Sequence, residues 1–235
     1  MHEPVNRSPI KLARKGGAAK RAKAMPRTER RKQLLAVARK IVAKDGIGAL
    51  TMATLAERAG VSKPVVYENF DNSESVAIAL LDEYFETAVE AVDTAARDAT
   101  TLGEYLSRAV DAEFDINAAD TLFVRAITNG YSSSERLNKA YRKLRKITLE
   151  TFQDLLAQQG VEKPVAATAG FVLAEMMTST VFEYASKRNN LIAKETLKTM
   201  LNGAVSAIVP LQETRPQTPA RTLATYRRLK KLHEG

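Results

Sequence analysis

Between Thr51 and Phe70 the chain reads TMATLAERAGVSKPVVYENF, and this stretch constrains the fold more tightly than any other. Thr51 is placed to cap a short helix whose inward side carries Met52, Leu55, Ala56 and Ala59. Gly60 follows at once, where a left-handed residue stops a helix without a Cβ penalty. Val61 plugs the turn. Ser62 then stands at an N-cap position and Pro64 in the first turn of a second helix, where a missing N–H costs little. That second helix buries Val66 and Phe70 and turns Lys63, Pro64, Tyr67 and Glu68 outward. Two short helices joined by a tight turn, the second with a polar and aromatic outer face, form a helix-turn-helix suited to the major groove of DNA.

The run Leu55-Ala56-Glu57-Arg58-Ala59-Gly60-Val61-Ser62-Lys63, followed by Tyr67 and Phe70, resembles the DNA-binding domain of TetR-family regulators. The likeness extends over about residues 28–95; beyond them only the general plan of a helical effector domain matches. It implies an all-α chain: an N-terminal three-helix helix-turn-helix domain and a C-terminal helical effector and dimerisation bundle. It also implies roles for particular residues. Lys63 stands where the family reaches base edges or phosphate, and a lysine there can donate to guanine O6 and N7. Tyr67 matches a tyrosine whose hydroxyl reaches a phosphate. Pro64 and Val65 either pack on a thymine methyl or, for Pro64, only fix the helix start. Thr51, Thr54 and Ser62 sit on the same edge, and Arg27 and Arg30 add charge beside it. This chain departs from the family at Asn69, usually aromatic or histidine, and at Ser73, usually lysine. Ser73 with the free N–H groups of a helix start can still take a phosphate. Glu68 is unusual on such a face; it either accepts from cytosine N4, orients a nearby base-contacting cation, or is simply solvated.

Charge supports the same surface. Arg7, Lys11, Arg14, Lys15, Lys20, Arg21, Lys23, Arg27, Arg30, Arg31 and Lys32 face only Glu3 and Glu29 in residues 1–32, an excess of +9 that equals the net charge of all 235 residues. The positive charge is thus concentrated next to the helix-turn-helix, where phosphate neutralisation would use it. Cysteine is absent, and the only histidines, His2 and His233, lie in the terminal tails. Thiol and histidine chemistry and Cys/His metal sites in the folded body are thereby excluded. No paired carboxylates suggest an enzyme, and no cofactor or metal is expected. The most apolar stretch, Val165 to Phe182, contains Glu175 and reads as a buried interface helix, not a membrane span. A cytoplasmic location is expected.

Breaks and periodicity divide the chain into a disordered basic arm (1–26), the DNA-binding domain (27–72), a bundle (73–210), and a linker with a short basic helix (211–235). Helices are expected near 28–44, 73–96 with Ser73 as a possible cap, 101–116, 119–129, 134–158, 164–187, 194–209 and 220–232. The last carries Leu223, Tyr226, Leu229 and Leu232 at near-helical spacing and either docks on the bundle or binds an anionic surface.

In the family an inducer enters the bundle and swings the fourth helix, here about residues 73–96. Side chains available to line a pocket are Tyr84, Phe85, Tyr105, Phe114, Phe123, Tyr131, Phe152, Met176, Met177 and Phe182, with Arg125, Asn129, Glu175 and Thr178 as orienting polar groups. That set suggests an apolar or aromatic effector; Arg125, if buried, would suggest an anionic one, and is otherwise simply solvated. One head reads only a half-site, so a homodimer is expected. The family places its interface on the helices at 164–187 and 194–209. Ala166, Ala169, Gly170 and Ala174 would allow close approach, and Phe171, Val172, Met176, Thr178, Val181, Leu197, Leu201, Val205 and Ile208 would supply contact. The resulting reading is a dimeric regulator that binds a double-stranded operator, most simply a repressor released by a small molecule. The rival reading is a helical ligand-binding module without specific DNA binding.

Overall fold

The computed structural model describes residues 25–130, 134–209 and 220–232. The described residues form α1 (Arg27–Asp45), a 3-10 turn (Ile47–Ala49), α2 (Met52–Ala59), α3 (Lys63–Tyr67), α4 (Ser73–Ala95), α5 (Leu102–Ala119), α6 (Thr121–Gly130), α7 (Glu135–Gln158), α8 (Lys163–Tyr184), α9 (Asn190–Ile208) and α10 (Ala220–Leu232). No strand occurs among them. The fold is all-α, with the helix-turn-helix at the N-terminal end. Most of the basic arm, both histidines, Tyr131 and the linker lie outside the described residues.

Local chemistry sets the helix boundaries. Thr51 caps α2 by accepting the N–H of Thr54 at 3.0 Å. Gly60 ends α2 at φ 65°, in the left-handed region where a side chain would be strained. At α4 the expected cap moves by one residue. Asn72, not Ser73, is the N-cap: its side chain accepts the Ser75 N–H at 2.8 Å while Ser75 Oγ accepts the Asn72 N–H at 3.2 Å. This reciprocal pair satisfies two orphan donors, which a serine cap at Ser73 would not do.

Two cores result, and α4 belongs to both. The head core joins Leu34, Ala38, Ile41 and Val42 of α1 with Leu55, Val66, Phe70 and the first half of α4, from Val76 to Leu81. The body core joins Val92 and Ala96, at the far end of α4, with α5, α8 and α9 through Leu106, Val110, Phe114, Leu173, Leu197 and Leu201. A movement of α4 therefore cannot be confined to one unit, because close-packed cores transmit displacement.

A second tie links head and body. Phe123, Val124 and Ile127 of α6 pack into the head core. Arg39 of α1 stacks its guanidinium 4.0 Å from the Phe123 ring centre and pairs with Asp120 at 2.5 Å. Helix α8 is long and apolar enough to cross a membrane by length and composition alone. In this fold it packs against α7, α9 and α5.

Helix α10 docks. Tyr226 is fully buried against α4 and α7, and Lys230 pairs with Asp82 at 2.8 Å and with Glu86 at 3.5 Å on α4. Arg228 reaches Asp154 of α7 at 3.4 Å. The basic face of this helix is thus spent largely on the protein's own carboxylates. The Leu223 and Leu232 side chains lie outside the described residues.

Candidate nucleic-acid interface and ligand cavity

Helix α3 is presented by its neighbours. Val66 and Phe70 are buried in the head core, which fixes the rotation of α3 and leaves Ser62, Lys63, Pro64 and Tyr67 exposed along one edge. Tyr67 is 54% exposed, a high value for a large aromatic side chain. Thr51 is exposed as well, with Thr54 beside it: their hydroxyl oxygens are 2.9 Å apart. Ser62 occupies the N-cap position of α3 without a side-chain capping bond, so its hydroxyl is not committed to the helix.

Arginines of α1 brace the other end of α3. Arg27 donates to the Glu68 carbonyl at 2.9 Å, and Arg31 donates to the Asn69 carbonyl at 2.7 Å while stacking on Phe70. These carbonyls belong to the C-cap of α3 and the residue just past it, where a cation is naturally accommodated. Arg27 therefore has a structural duty in addition to its charge. Arg30 bonds to Gln33 on its own helix.

Asn69 departs from its expected role. Its side chain is turned inward and donates to the Val65 carbonyl at 2.8 Å, with only 9% exposure. A buried amide that closes the end of α3 has no free reach toward DNA. We remove it from the set of contacts. Ser73, in the first turn of α4, is half-buried.

Behind the head lies a cavity of about 700 Å³ between α4, α5, α7 and α8. Tyr84 and Phe85 of α4, Tyr141 of α7 and Phe182 of α8 form much of its wall. The Tyr84 and Phe85 rings meet edge to face at 5.7 Å, and Phe85 meets Tyr141 at 6.0 Å. A narrow annex of about 50 Å³ continues from it, walled mainly by Val92, Tyr105, Ala109, Phe152 and Leu155. Val89, Glu113, Thr148 and Met177 border both spaces.

The polar groups of the cavity form two sets. Arg145 of α7 and Glu175 of α8 pair across it. Separately, the Tyr84 hydroxyl donates to Asn117 Oδ1 at 3.2 Å. The Asn117 amide in turn donates to the Glu113 carbonyl at 2.8 Å and to its carboxylate at 3.4 Å. Burial pushes the Glu113 carboxyl up to about 7, against a smaller opposing effect of the Asn117 bond. Burial first, and then the Glu113 charge, also hold the Tyr84 phenol protonated well above its usual range.

A family model described as bacterial regulatory proteins of the tetR family matches residues 34–80, from α1 through α2 and α3 into α4. Over those residues the chain is similar to that family. Among curated TetR-type relatives, the HTH-type transcriptional activator FasR of Mycolicibacterium smegmatis is 37% identical over 114 residues. That alignment covers 48% of this chain and 52% of the relative, about half the length of each. A TetR-family transcriptional regulator from Streptomyces coelicolor superposes with a TM-score of 0.64 at 19% identity, covering 77% of this chain and 97% of that one. The fatty acid degradation regulator FadR from Bacillus halodurans gives 0.62 at 22% identity, covering 73% and 97%. At such identities these two likenesses are of fold.

The cavity collects only part of the set expected for a TetR-family effector pocket. Tyr84, Phe85, Asn129, Met177 and Phe182 line the chamber, as do Glu175 and Thr178, and Tyr105 and Phe152 line the annex. Phe114 is packed in the body core and Phe123 in the head core, so neither reaches the space. Arg125 is on the exposed side of α6, and Met176 packs against the body core without lining the cavity. Glu113, Asn117, Tyr141, Arg145 and Thr148 line it unforeseen. Their helical phase does place them on the inward sides of α5 and α7, which was the available signal.

The expected dimer residues also divide. Leu197, Leu201 and Val205 of α9 are buried in the chain's own body core, beside α5. Ala174 and Val181 of α8 are buried as well, and Thr178 is exposed but borders the cavity. The small-residue stripe serves α7. At Gly170 a Cβ would come within 3.1 Å of the Gln153 backbone nitrogen, so a glycine lets α8 lie close on α7. Of the expected contact residues, Phe171 and Val172 stay outward on α8, joined there by Val165 and by Leu191, Ile192 and Met200 on α9, all exposed.

Proposed function

We propose that the chain is a homodimeric, ligand-responsive transcriptional regulator that places α3 of each protomer in the major groove of a pseudo-palindromic DNA operator. The observation that carries this reading is the exposed edge of Ser62, Lys63, Pro64 and Tyr67 on a helix held rigidly from behind by Val66, Phe70 and the α1 arginines. In this reading Lys63 and Val65 meet base edges, and Tyr67, Thr51, Thr54 and Ser73 meet phosphates. Arg30, with Arg27 where its bond to α3 permits, adds positive charge beside the duplex.

The dimer forms on the outward faces of α8 and α9, centred on Phe171 and Val172 with Leu191, Ile192 and Met200. Several large apolar side chains exposed on two adjacent helices mark an interaction surface. The effector enters the cavity between α4, α5, α7 and α8. Because Tyr84 and Phe85 lie on α4 between its head-core and body-core segments, occupancy shifts the helix that carries the head. A change of head separation then alters operator affinity.

We infer repression, relieved by the ligand, wherever the operator overlaps a promoter. The name of the relative from Mycolicibacterium smegmatis favours activation as a second reading, in which the bound regulator recruits transcription from an upstream site. Selection of bound genomic fragments followed by a promoter–reporter assay, with the regulator present and deleted, tests both. Reporter output that rises on deletion supports repression, and output that falls supports activation. Absence of any selected fragment refutes specific DNA reading.

A further inference from the structure

The charges of the cavity do not balance. Arg145, the one Lys or Arg among the described lining residues, is taken up by Glu175 across the chamber. Glu113 has no such partner: among the described residues its carboxylate is met by the Asn117 amide at 3.4 Å and by no cation. With all three ionised the lining is net negative. A half-buried carboxylate without a counter-ion is costly, and a cation delivered from outside lowers that cost.

The position of Glu113 is as informative as its charge. It borders both the chamber and the annex, and the chamber wall also carries the edge-to-face rings of Tyr84, Phe85 and Tyr141. Aromatic faces beside a carboxylate are the surroundings that favour an ammonium group over a neutral or anionic one. The annex beyond is walled mostly by aliphatic and aromatic carbon and suits an apolar arm. An anionic ligand would instead have to displace Glu175 from Arg145 and lie near the Glu113 charge.

We propose that the cavity takes a ligand with a protonated amine on an apolar body, with Glu113 as its counter-ion and the annex receiving part of the body. This rests on the reading of the cavity as the effector site. Glu113 also joins the ligand to the rest of the protein. Asn117 bridges the Glu113 carboxylate and the Tyr84 hydroxyl, so a cation seated on Glu113 perturbs a bond that ends on α4. The titratable and polar groups that share the cavity wall with Glu113 include Tyr84 on α4, Asn117 on α5, Tyr141, Arg145 and Thr148 on α7, and Glu175 on α8. Glu113 has a proton to give near neutrality, because its carboxyl is pushed up to about 7, while the Tyr84 phenol stays protonated. Binding a cation below that value releases this proton to solvent.

The test uses the full chain and three matched probes, decylamine, decanol and decanoate, below their aggregation limits, by calorimetry at about pH 8 and about pH 6 in buffers of different ionisation heat. The amine is expected to bind at least about tenfold more tightly than either analogue at the higher pH. At the lower pH its binding should release protons, read as a buffer-dependent heat. Glu113→Gln should weaken the amine by at least about tenfold, leave decanol within about threefold, and abolish the proton release. Decanoate binding more tightly than the amine overturns the proposal. So does an amine affinity indifferent to Glu113→Gln. If none of the three probes binds, the effector-site reading itself fails, and the inference fails with it.

Discussion

Replacing Tyr226 tests how α10 is held. The side chain is fully buried where α10 meets α4 and α7. Truncating a buried aromatic to alanine costs about 3–5 kcal/mol. The remaining attachments are weak by comparison. Arg227 pairs with Glu86 at 3.1 Å and Arg228 with Asp154 at 3.4 Å, with arginine side chains 50% and 64% exposed. Pairs so solvated contribute about 0–1 kcal/mol each. Lys230 is better enclosed, and its two carboxylate partners make it the strongest of the polar ties. A helix of 13 residues is marginal on its own in water, so Tyr226→Ala should release α10 while the two cores persist.

The phenylalanine variant separates packing from polarity. The Tyr226 hydroxyl is buried without a hydrogen-bond partner among the described residues, and removing such a group avoids a desolvation cost of about 1–3 kcal/mol. Tyr226→Phe should therefore dock as well as the parent or better. Hydrogen exchange of residues 220–232, read by mass spectrometry, is the assay. Loss of protection confined to that segment in the alanine variant, with α5 and α9 unchanged, is the expected result. Retained protection in the alanine variant refutes the reasoning, as does equal loss in the phenylalanine variant.

Three further outcomes follow from the same structure. Lys63→Ala should weaken operator binding by about 1–3 kcal/mol and Tyr67→Phe should reduce affinity similarly across sequences, while neither changes the melting temperature because both side chains are exposed; competition binding and thermal melts check the pair. Glu113→Gln should stabilise the ligand-free protein at about pH 8 by roughly 1–3 kcal/mol and have little effect at about pH 4. The sign follows because the folded-state carboxyl lies above its unfolded value, so its favourable contribution is complete at low pH and is lost as pH rises through about 7; denaturant melts at the two pH values decide it. Phe171→Glu together with Ile192→Glu should leave helicity intact and convert the dimer to monomer, read by light scattering, since both side chains are exposed at 49% and 71% in the protomer.

The helix-turn-helix was legible because its signals are local. Thr51 caps, Gly60 turns left-handed, and Val66 and Phe70 point inward as their spacing requires. Asn69 was not legible. It stands between exposed Glu68 and buried Phe70, and only the folded turn shows the amide bonding back to the Val65 carbonyl. Ser73 and Asn72 are both good caps, and the choice between them rested on Ser75 completing a capping box.

Periodicity also found the helices of the bundle and their apolar faces, but not what each face meets. Leu197, Leu201 and Val205 share one stripe of α9 that packs against α5, whereas the outward residues Ile192 and Met200 carry no distinguishing pattern. Phe123 belongs to the head although it follows α5 in sequence, because α6 returns to pack on α1. The inward phase of Glu113 on α5, four residues from buried Ala109 and Asn117, was legible, but not the cavity that α4, α7 and α8 close around it. Contacts between distant elements are the part that one-dimensional spacing does not encode.

The central claim is that two α3 helices on one dimer read a DNA site. Footprinting of the full chain on fragments selected from genomic DNA tests it most directly. The account predicts saturable protection of two half-sites about one helical turn apart, about 34–36 Å, with Lys63→Ala weakening the protection. Protection of a single half-site by monomers, or only uniform binding that vanishes with modest salt, would contradict it.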